Sequence, residues 1–216
     1  VERRSAARRY DRDGPEFGRA IGFIDATFAL ALTLLVTTIE VEDPAAAWTS
    51  LSALDDEIGA QLVAFAIAFA VIARYWLLHH RMITSFAALD GPLIVANLVL
   101  VAAVVLLPFS TRSVGDPGIS DLPLPTAVLA ANVAAVTIIH NGIYALARER
   151  GLLDPRPTAA DLGWWLAAGL VPAAVFIASI PVAYAASPLA AQLTWLAVIP
   201  LGLTVDRMAA RAGVAW

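Results

Sequence analysis

Asp25 lies inside an apolar run, Arg19 to Val41 (RAIGFIDATFALALTLLVTTIEV), that also carries Thr27, Thr33, Thr37 and Thr38. The run is long enough to cross a bilayer. A charged side chain at that depth is costly, so it faces a partner or water and marks function. Three further groups of polar residues interrupt the apolar runs. Arg74, Trp76, His79 and His80 close the second run, Asn97 enters the third, and His140 and Asn141 stand together in the fourth. An acid with a histidine is the equipment of a proton relay. Amides and hydroxyls in the same setting bond neighbouring helices or line an aqueous path.

Other chemistries have no residues to run on. The chain has no phosphate-binding glycine loop, no His-Glu-x-x-His and no nucleophile elbow, so it does not read as an enzyme. It has no cysteine, which excludes disulfides and thiolate metal sites. The run Ser113-Val114-Gly115-Asp116 is only superficially like a potassium filter, because TVGYG is absent. No cofactor is implied.

The elements that must position these residues are membrane helices. Of 216 residues, 60% are hydrophobic and 15% charged, with a mean hydropathy of +0.76; a soluble domain is nearer half apolar and about a quarter charged. Six stretches of about 20 residues emerge, the length that crosses ~30 Å of hydrocarbon. They run from Phe17 to Ile39, Glu57 to His79, Pro92 to Thr111, Pro123 to Ala147, Leu162 to Ala185 and Pro188 to Asp206. The expected fold is therefore an all-α integral membrane protein with six transmembrane helices. The first stretch is too long for a signal-peptide core and reads as a retained span. Pro172, Pro181 and Pro200 should kink the fifth and sixth helices. Trp48, Trp164 and Trp165 fall where interfacial aromatics belong. The two halves show no convincing repeat, which weakens a transporter reading.

All fourteen positive charges are arginine, and their placement sets the orientation. Arg3, Arg4, Arg8, Arg9, Arg12 and Arg19 precede or open the first span. Arg81, then Arg148, Arg150 and Arg156, then Arg207 and Arg211 follow the second, fourth and sixth. The opposite side has Arg112 among Glu40, Glu42, Asp43, Asp55, Asp56, Glu57, Asp116 and Asp121. The positive-inside rule places both termini in the cytoplasm. Beside a membrane span, the arginine-rich arm is explained by topology and anionic lipid rather than by nucleic acid.

At 100° per residue, Leu30, Thr33, Leu34 and Thr37 share one face of the first helix, with Phe23 and Ala26 toward its cytoplasmic end. This face alternates apolar and hydroxyl rings. Asp25 lies about 140° from Leu30 on the same wheel, and so points into neighbouring helices of its own subunit. The second helix runs the other way and brings Arg74, Trp76, His79 and His80 to a similar depth. A cluster of Asp25, Trp76, one histidine and Asn97 would satisfy groups that lipid cannot. Simpler readings stand beside these. Thr33 and Thr37 can bond carbonyls one turn back, His80 can sit among headgroups, Arg74 can snorkel, and His140 and Asn141 can join helices.

The run Arg19-Ala-Ile-Gly-Phe23-Ile24-Asp25 resembles the RxxxFSD first-helix signature of the bacterial relatives of transmembrane protein 175, the endosomal and lysosomal potassium channel family. Tyr75-Trp76-Leu-Leu-His79-His80-Arg81 is similar to the family's YWxxHH segment, and Asn97 with Pro108-Phe109-Ser110-Thr111 to its third helix. The likeness covers helices one to three; the last three agree only in length and hydropathy. It implies a homotetramer of six-helix subunits in a bacterial cell membrane, with first helices around a potassium-conducting pore narrowed by apolar side chains. Its constrictions map to Leu30, Leu34 and Thr37, with a threonine ring at Thr33. Potassium would pass along these four residues with no fixed ligand set. Arg19, Phe23, Asp25, Trp76, His79, His80 and Asn97 would form the network holding that helix.

Two residues depart from the family pattern: Ile24 stands where serine is usual, and Thr37 where a third bulky apolar residue is common. On this reading residues 1–16 are a cytoplasmic basic arm, 17–208 the channel domain and 209–216 a cytoplasmic tail. The alternative is a proton-coupled or proton-conducting transporter using Asp25 and a histidine.

Overall fold

A computed structural model describes residues 8–213; Arg3, Arg4 and the end of the C-terminal tail lie outside the described residues. Six helical segments are long and apolar enough to span a membrane: Pro15–Thr38, Leu51–Thr84, Gly91–Gly115, Pro123–Glu149, Ala159–Ala185 and Pro188–Arg211. All six expected spans are present, and three have internal detail that hydropathy does not show.

The first is α1 (Pro15–Leu34), which tightens into a 3₁₀ turn at Leu35–Thr38. After α2 (Pro44–Ala47), capped by the Asp43 carboxylate, the second span is α3 (Leu51–Thr84), capped by Ser50. Its 34 residues reach about 51 Å at 1.5 Å each, well beyond the hydrocarbon. The overhang explains why Asp55, Asp56 and Glu57 belong to the helix rather than to a loop. The third span divides into α4 (Gly91–Val105) and α5 (Leu107–Gly115). Pro108 has no amide to give the Val104 carbonyl, and the helix breaks there.

The fourth and fifth spans are α6 (Pro123–Glu149) and α7 (Ala159–Ala185), the latter opened by a reciprocal capping box between Thr158 and Asp161. Pro172 and Pro181 are accommodated inside α7 without ending it. The sixth span is α8 (Pro188–Thr194), a 3₁₀ turn at Trp195–Ala197, and α9 (Val198–Arg211); Pro200 lies in the first turn of α9, just past the irregular stretch.

The centre of the subunit is α6, which packs against α4, α5 and α7. Its buried face runs through Ala130, Val133, Ala134, Val136, Thr137, His140, Asn141 and Ile143. The sixth span is the most peripheral: 6% of its apolar window is buried, against 61% for the fourth.

A two-stranded antiparallel sheet was not expected from the sequence. The strand β1 (Arg9–Asp11), from the basic arm, pairs with β2 (Ala88–Asp90), so that Arg9 faces Asp90 and Asp11 faces Ala88. The preceding residues Ser85 and Ala87 exchange backbone bonds with Leu152 and Asp154. Alternation over three residues is too short a signal to read as a strand.

Candidate functional site

One face of α1 is core and the opposite face is free. Ile24, Phe28, Ala31, Leu35 and Thr38 are buried, spaced three and four apart, against α3, α4 and α5. On the other side Phe23, Leu30 and Leu34 are 56%, 53% and 37% exposed, and Thr33 and Thr37 are exposed with them. The change to 3₁₀ geometry matters here. Residues three apart eclipse in that helix, which lines Thr37 up with Leu34 and Thr38 with Leu35 instead of letting both drift around the axis.

The threonine hydroxyls are spoken for as donors. Thr33 gives its proton to the Leu30 carbonyl at 2.8 Å and Thr37 to the Leu34 carbonyl at 2.7 Å. Both bonds run to residue i−3, within their own helix. The oxygen lone pairs remain on the exposed face.

Asp25 turns away from that face. It accepts a hydrogen bond from Trp76 Nε1 of α3 at 3.1 Å, and Trp76 in turn stacks on the exposed His80 ring at 5.6 Å. The expected four-member cluster is divided by the way α1 wedges between two helices. Asp25 meets α3 on one flank, while Asn97 of α4 faces the other, beside Ala20, Phe23 and Ile24. Asn97 gives its amide to the Leu93 carbonyl of its own helix. His79 is fully buried between Phe28 and His140, at ring separations of 5.8 and 6.0 Å, with no hydrogen-bond partner on either nitrogen. Among the described residues, neither Arg19 nor Arg74 forms an ion pair with Asp25; both side chains are exposed.

The ends of α1 are fastened as well as its middle. At the end that leads to α2, Gln61 of α3 exchanges two hydrogen bonds with the Glu40 backbone, at 2.7 and 3.0 Å. Arg112 of α5 reaches the Glu40 carboxylate at 2.5 Å, and Glu57 accepts from the backbone of Glu42 and Asp43. At the other end β1 runs into α1 through Gly14, and the Arg12 side chain reaches the Thr84 carbonyl at 2.6 Å. The strand β2 is held by Asp90, a buried carboxylate that caps α4 through the Leu93 amide and pairs with Arg150 at the end of α6. Arginine counting gave Arg150 only a topological role. A readable signal was present: Asp90 directly precedes Gly91-Pro92, the position of a helix cap.

His140 and Asn141 join helices. The Asn141 amide reaches the Gly169 carbonyl of α7 at 3.1 Å, and His140 stacks on Trp165 at 5.9 Å. Tyr75 and Thr137 form a second link, between α3 and α6; because Thr137 gives its own proton to the Val133 carbonyl, Tyr75 is the donor.

A six-span helical membrane protein, with a small strand pair at one end and a polar-apolar face left free on its first helix, is the class that fold and site define. The family model described as endosomal/lysosomal potassium channel TMEM175 matches residues 19–108, from the second turn of α1 through α4 to the start of α5. A potassium channel of Streptomyces collinus is 29% identical over 153 residues, 67% of this chain and 71% of that one. A potassium channel of Chamaesiphon minutus is 31% identical over 135 residues, 60% of this chain and 64% of that one. In fold, the chain is similar to the crystal structure of a lysosomal potassium-selective channel TMEM175 homologue from Chamaesiphon minutus, with a TM-score of 0.71 and 23% identity over 88% of this chain and 98% of that one. A variant of the potassium channel MtTMEM175, crystallised with a Nanobody-MBP fusion protein, gives a TM-score of 0.64 at 16% identity, covering 98% of this chain and all of that one. Over residues 19–108, and in its fold, the chain is similar to the TMEM175 family and to bacterial relatives named potassium channels.

Proposed function

We propose that the chain is one subunit of a potassium-permeable channel in which α1 from each of four copies lines a central pore. The observation that carries this reading is the division of α1. One face is buried, its middle is held through Asp25 and Trp76, and both ends are clamped, while Leu30, Thr33, Leu34 and Thr37 are left uncovered. The relatives named potassium channels supply the ion.

Leu30 and Leu34 close the path by excluding water, because a hydrophobic constriction dewets before it closes sterically. A cation passing Thr33 meets hydroxyl oxygens whose protons are already given to backbone carbonyls, so the oxygens are oriented to accept. No fixed ligand set is needed. The arginines of β1, the α3 end and the α6–α7 loop lie on the cytoplasmic side of a bacterial cell membrane, with both termini. Ion passage requires no chemical step on a substrate, in keeping with a channel rather than an enzyme.

The deciding experiment is subunit count and symmetry of the purified protein, together with potassium flux in liposomes. A four-fold particle with α1 at the axis and protein-dependent potassium flux is expected. A monomer, or flux no greater than in protein-free liposomes, overturns the proposal.

A further inference from the structure

Between α1 and α4, on the flank opposite Trp76, there is a cavity of about 140 Å³. Ile24 and Leu89 are buried walls, Ala20 and Ile94 complete them, and the half-exposed Phe23 and Leu98 stand at the mouth. Ala20 lies in the second turn of α1, Ile94 in the first turn of α4, and Leu89 in β2. The cavity therefore sits at the strand-pair end of the helices.

The lining selects the occupant. Among the described residues that form it none is charged, and the one polar side chain, Asn97, is closed off. It is 1% exposed, its Nδ2 is given to the Leu93 carbonyl at 2.8 Å, and its Oδ1 is buried. Water needs about two to four polar partners in such a place. An ion or a hydrogen-bonding ligand would lose its water with nothing in return. An acyl chain could enter only by its end, and chain ends lie at the centre of a bilayer, whereas this cavity lies where α1 and α4 begin. A dry cavity of about 150 Å³ with apolar walls binds benzene, and this one has that size and that lining.

We infer that this cavity is a binding site for a small uncharged apolar molecule of benzene size, held by contact with Ala20, Ile24, Leu89 and Ile94 and by no hydrogen bond. Ile24 keeps the site dry. A serine at this position, as the family pattern has it, would remove part of the wall and add a hydroxyl that water can bond. The inference concerns binding alone and stands independently of ion conduction.

Fluorine NMR titration of the intact protein in dodecyl maltoside, with fluorobenzene and 4-fluorophenol, tests it. After correction for partition into protein-free micelles, fluorobenzene should bind saturably and be displaced by benzene. By free aqueous concentration, 4-fluorophenol should bind at least about tenfold more weakly, the penalty for burying an unpaired hydroxyl. Ala20→Phe places a phenyl ring in the cavity and should abolish fluorobenzene binding; Ile24→Ser should weaken it several-fold. No saturable binding of fluorobenzene, 4-fluorophenol bound as tightly, or an affinity that either variant leaves unchanged would each overturn the inference. The comparison of the two probes needs only the unmodified protein, so it decides the matter even if neither variant folds.

Discussion

Trp76 donates its indole N–H to the Asp25 carboxylate across 3.1 Å, joining α3 to α1 between residues 51 apart in the chain. A half-buried carboxylate inside a membrane helix is held by one neutral donor, and the arginine at similar depth, Arg74, is exposed and takes no part. Asp25 therefore fastens α1 sideways.

Trp76→Phe should remove a hydrogen bond to a charged group, worth about 1.5–3 kcal/mol. Asp25→Asn keeps an acceptor and should cost less. A double-mutant cycle on thermal unfolding should show the two changes to be strongly non-additive. The oligomer should weaken on size exclusion in both single variants. A pH-gradient-driven transport lost in Asp25→Asn, with assembly intact, would instead favour a proton-coupled carrier.

Leu34→Ala and Leu30→Asn should widen or wet the constriction, raising basal leak and lowering the preference for potassium over sodium in liposome flux. Thr33→Val preserves shape and removes the oxygen, so it should lower that preference without a comparable rise in leak. Thr33→Ser should restore it. Unchanged flux in all four variants removes these residues from the ion path.

Arg150→Ala leaves Asp90 buried and unpaired. The Asp90 side chain is 6% exposed and that of Arg150 31%, so the loss should fall at or below the low end of the roughly 3–5 kcal/mol typical of broken buried pairs. Adding Asp90→Asn removes the stranded charge yet retains the cap on α4, and should recover part of the stability. Arg112→Ala, at the other end of α1, breaks a pair whose members are about half exposed, and should change stability by less than about 1 kcal/mol.

A Cβ at Gly169 would stand 2.0 Å from Asn141 Oδ1. Gly169→Ala should therefore separate α6 from α7 or expel the Asn141 side chain, costing about 1–3 kcal/mol. Asn141→Ala in the same chain should relieve the clash and return most of the lost melting temperature, as measured in detergent.

Hydropathy, arginine placement and the 100° wheel were sufficient to read six membrane helices and to separate Asp25 from the Leu30, Thr33, Leu34 and Thr37 face. Those signals are local: a span announces itself by length, and a helix face by spacing along one element. The 3₁₀ turn at Leu35–Thr38 was not legible, because threonine spacing fits either helix type until the backbone bonds are drawn. The strand pair was hidden for a similar reason, since Arg9–Asp11 has no alternation long enough to register.

What only the tertiary structure decided is partnership between distant positions. Sequence placed Asp25, Trp76, His79 and Asn97 at one depth, and depth alone left them as a single cluster. Packing α1 between α3 and α4 put Trp76 on one flank and Asn97 on the other, while His79 was shut in between Phe28 and His140. In the same way Asp90 and Arg150, 60 residues apart, became a pair at the base of the fold. Periodicity fixes an angle around one helix axis; it contains nothing about which neighbouring helix stands at that angle, and that depends on how all six bury their faces together.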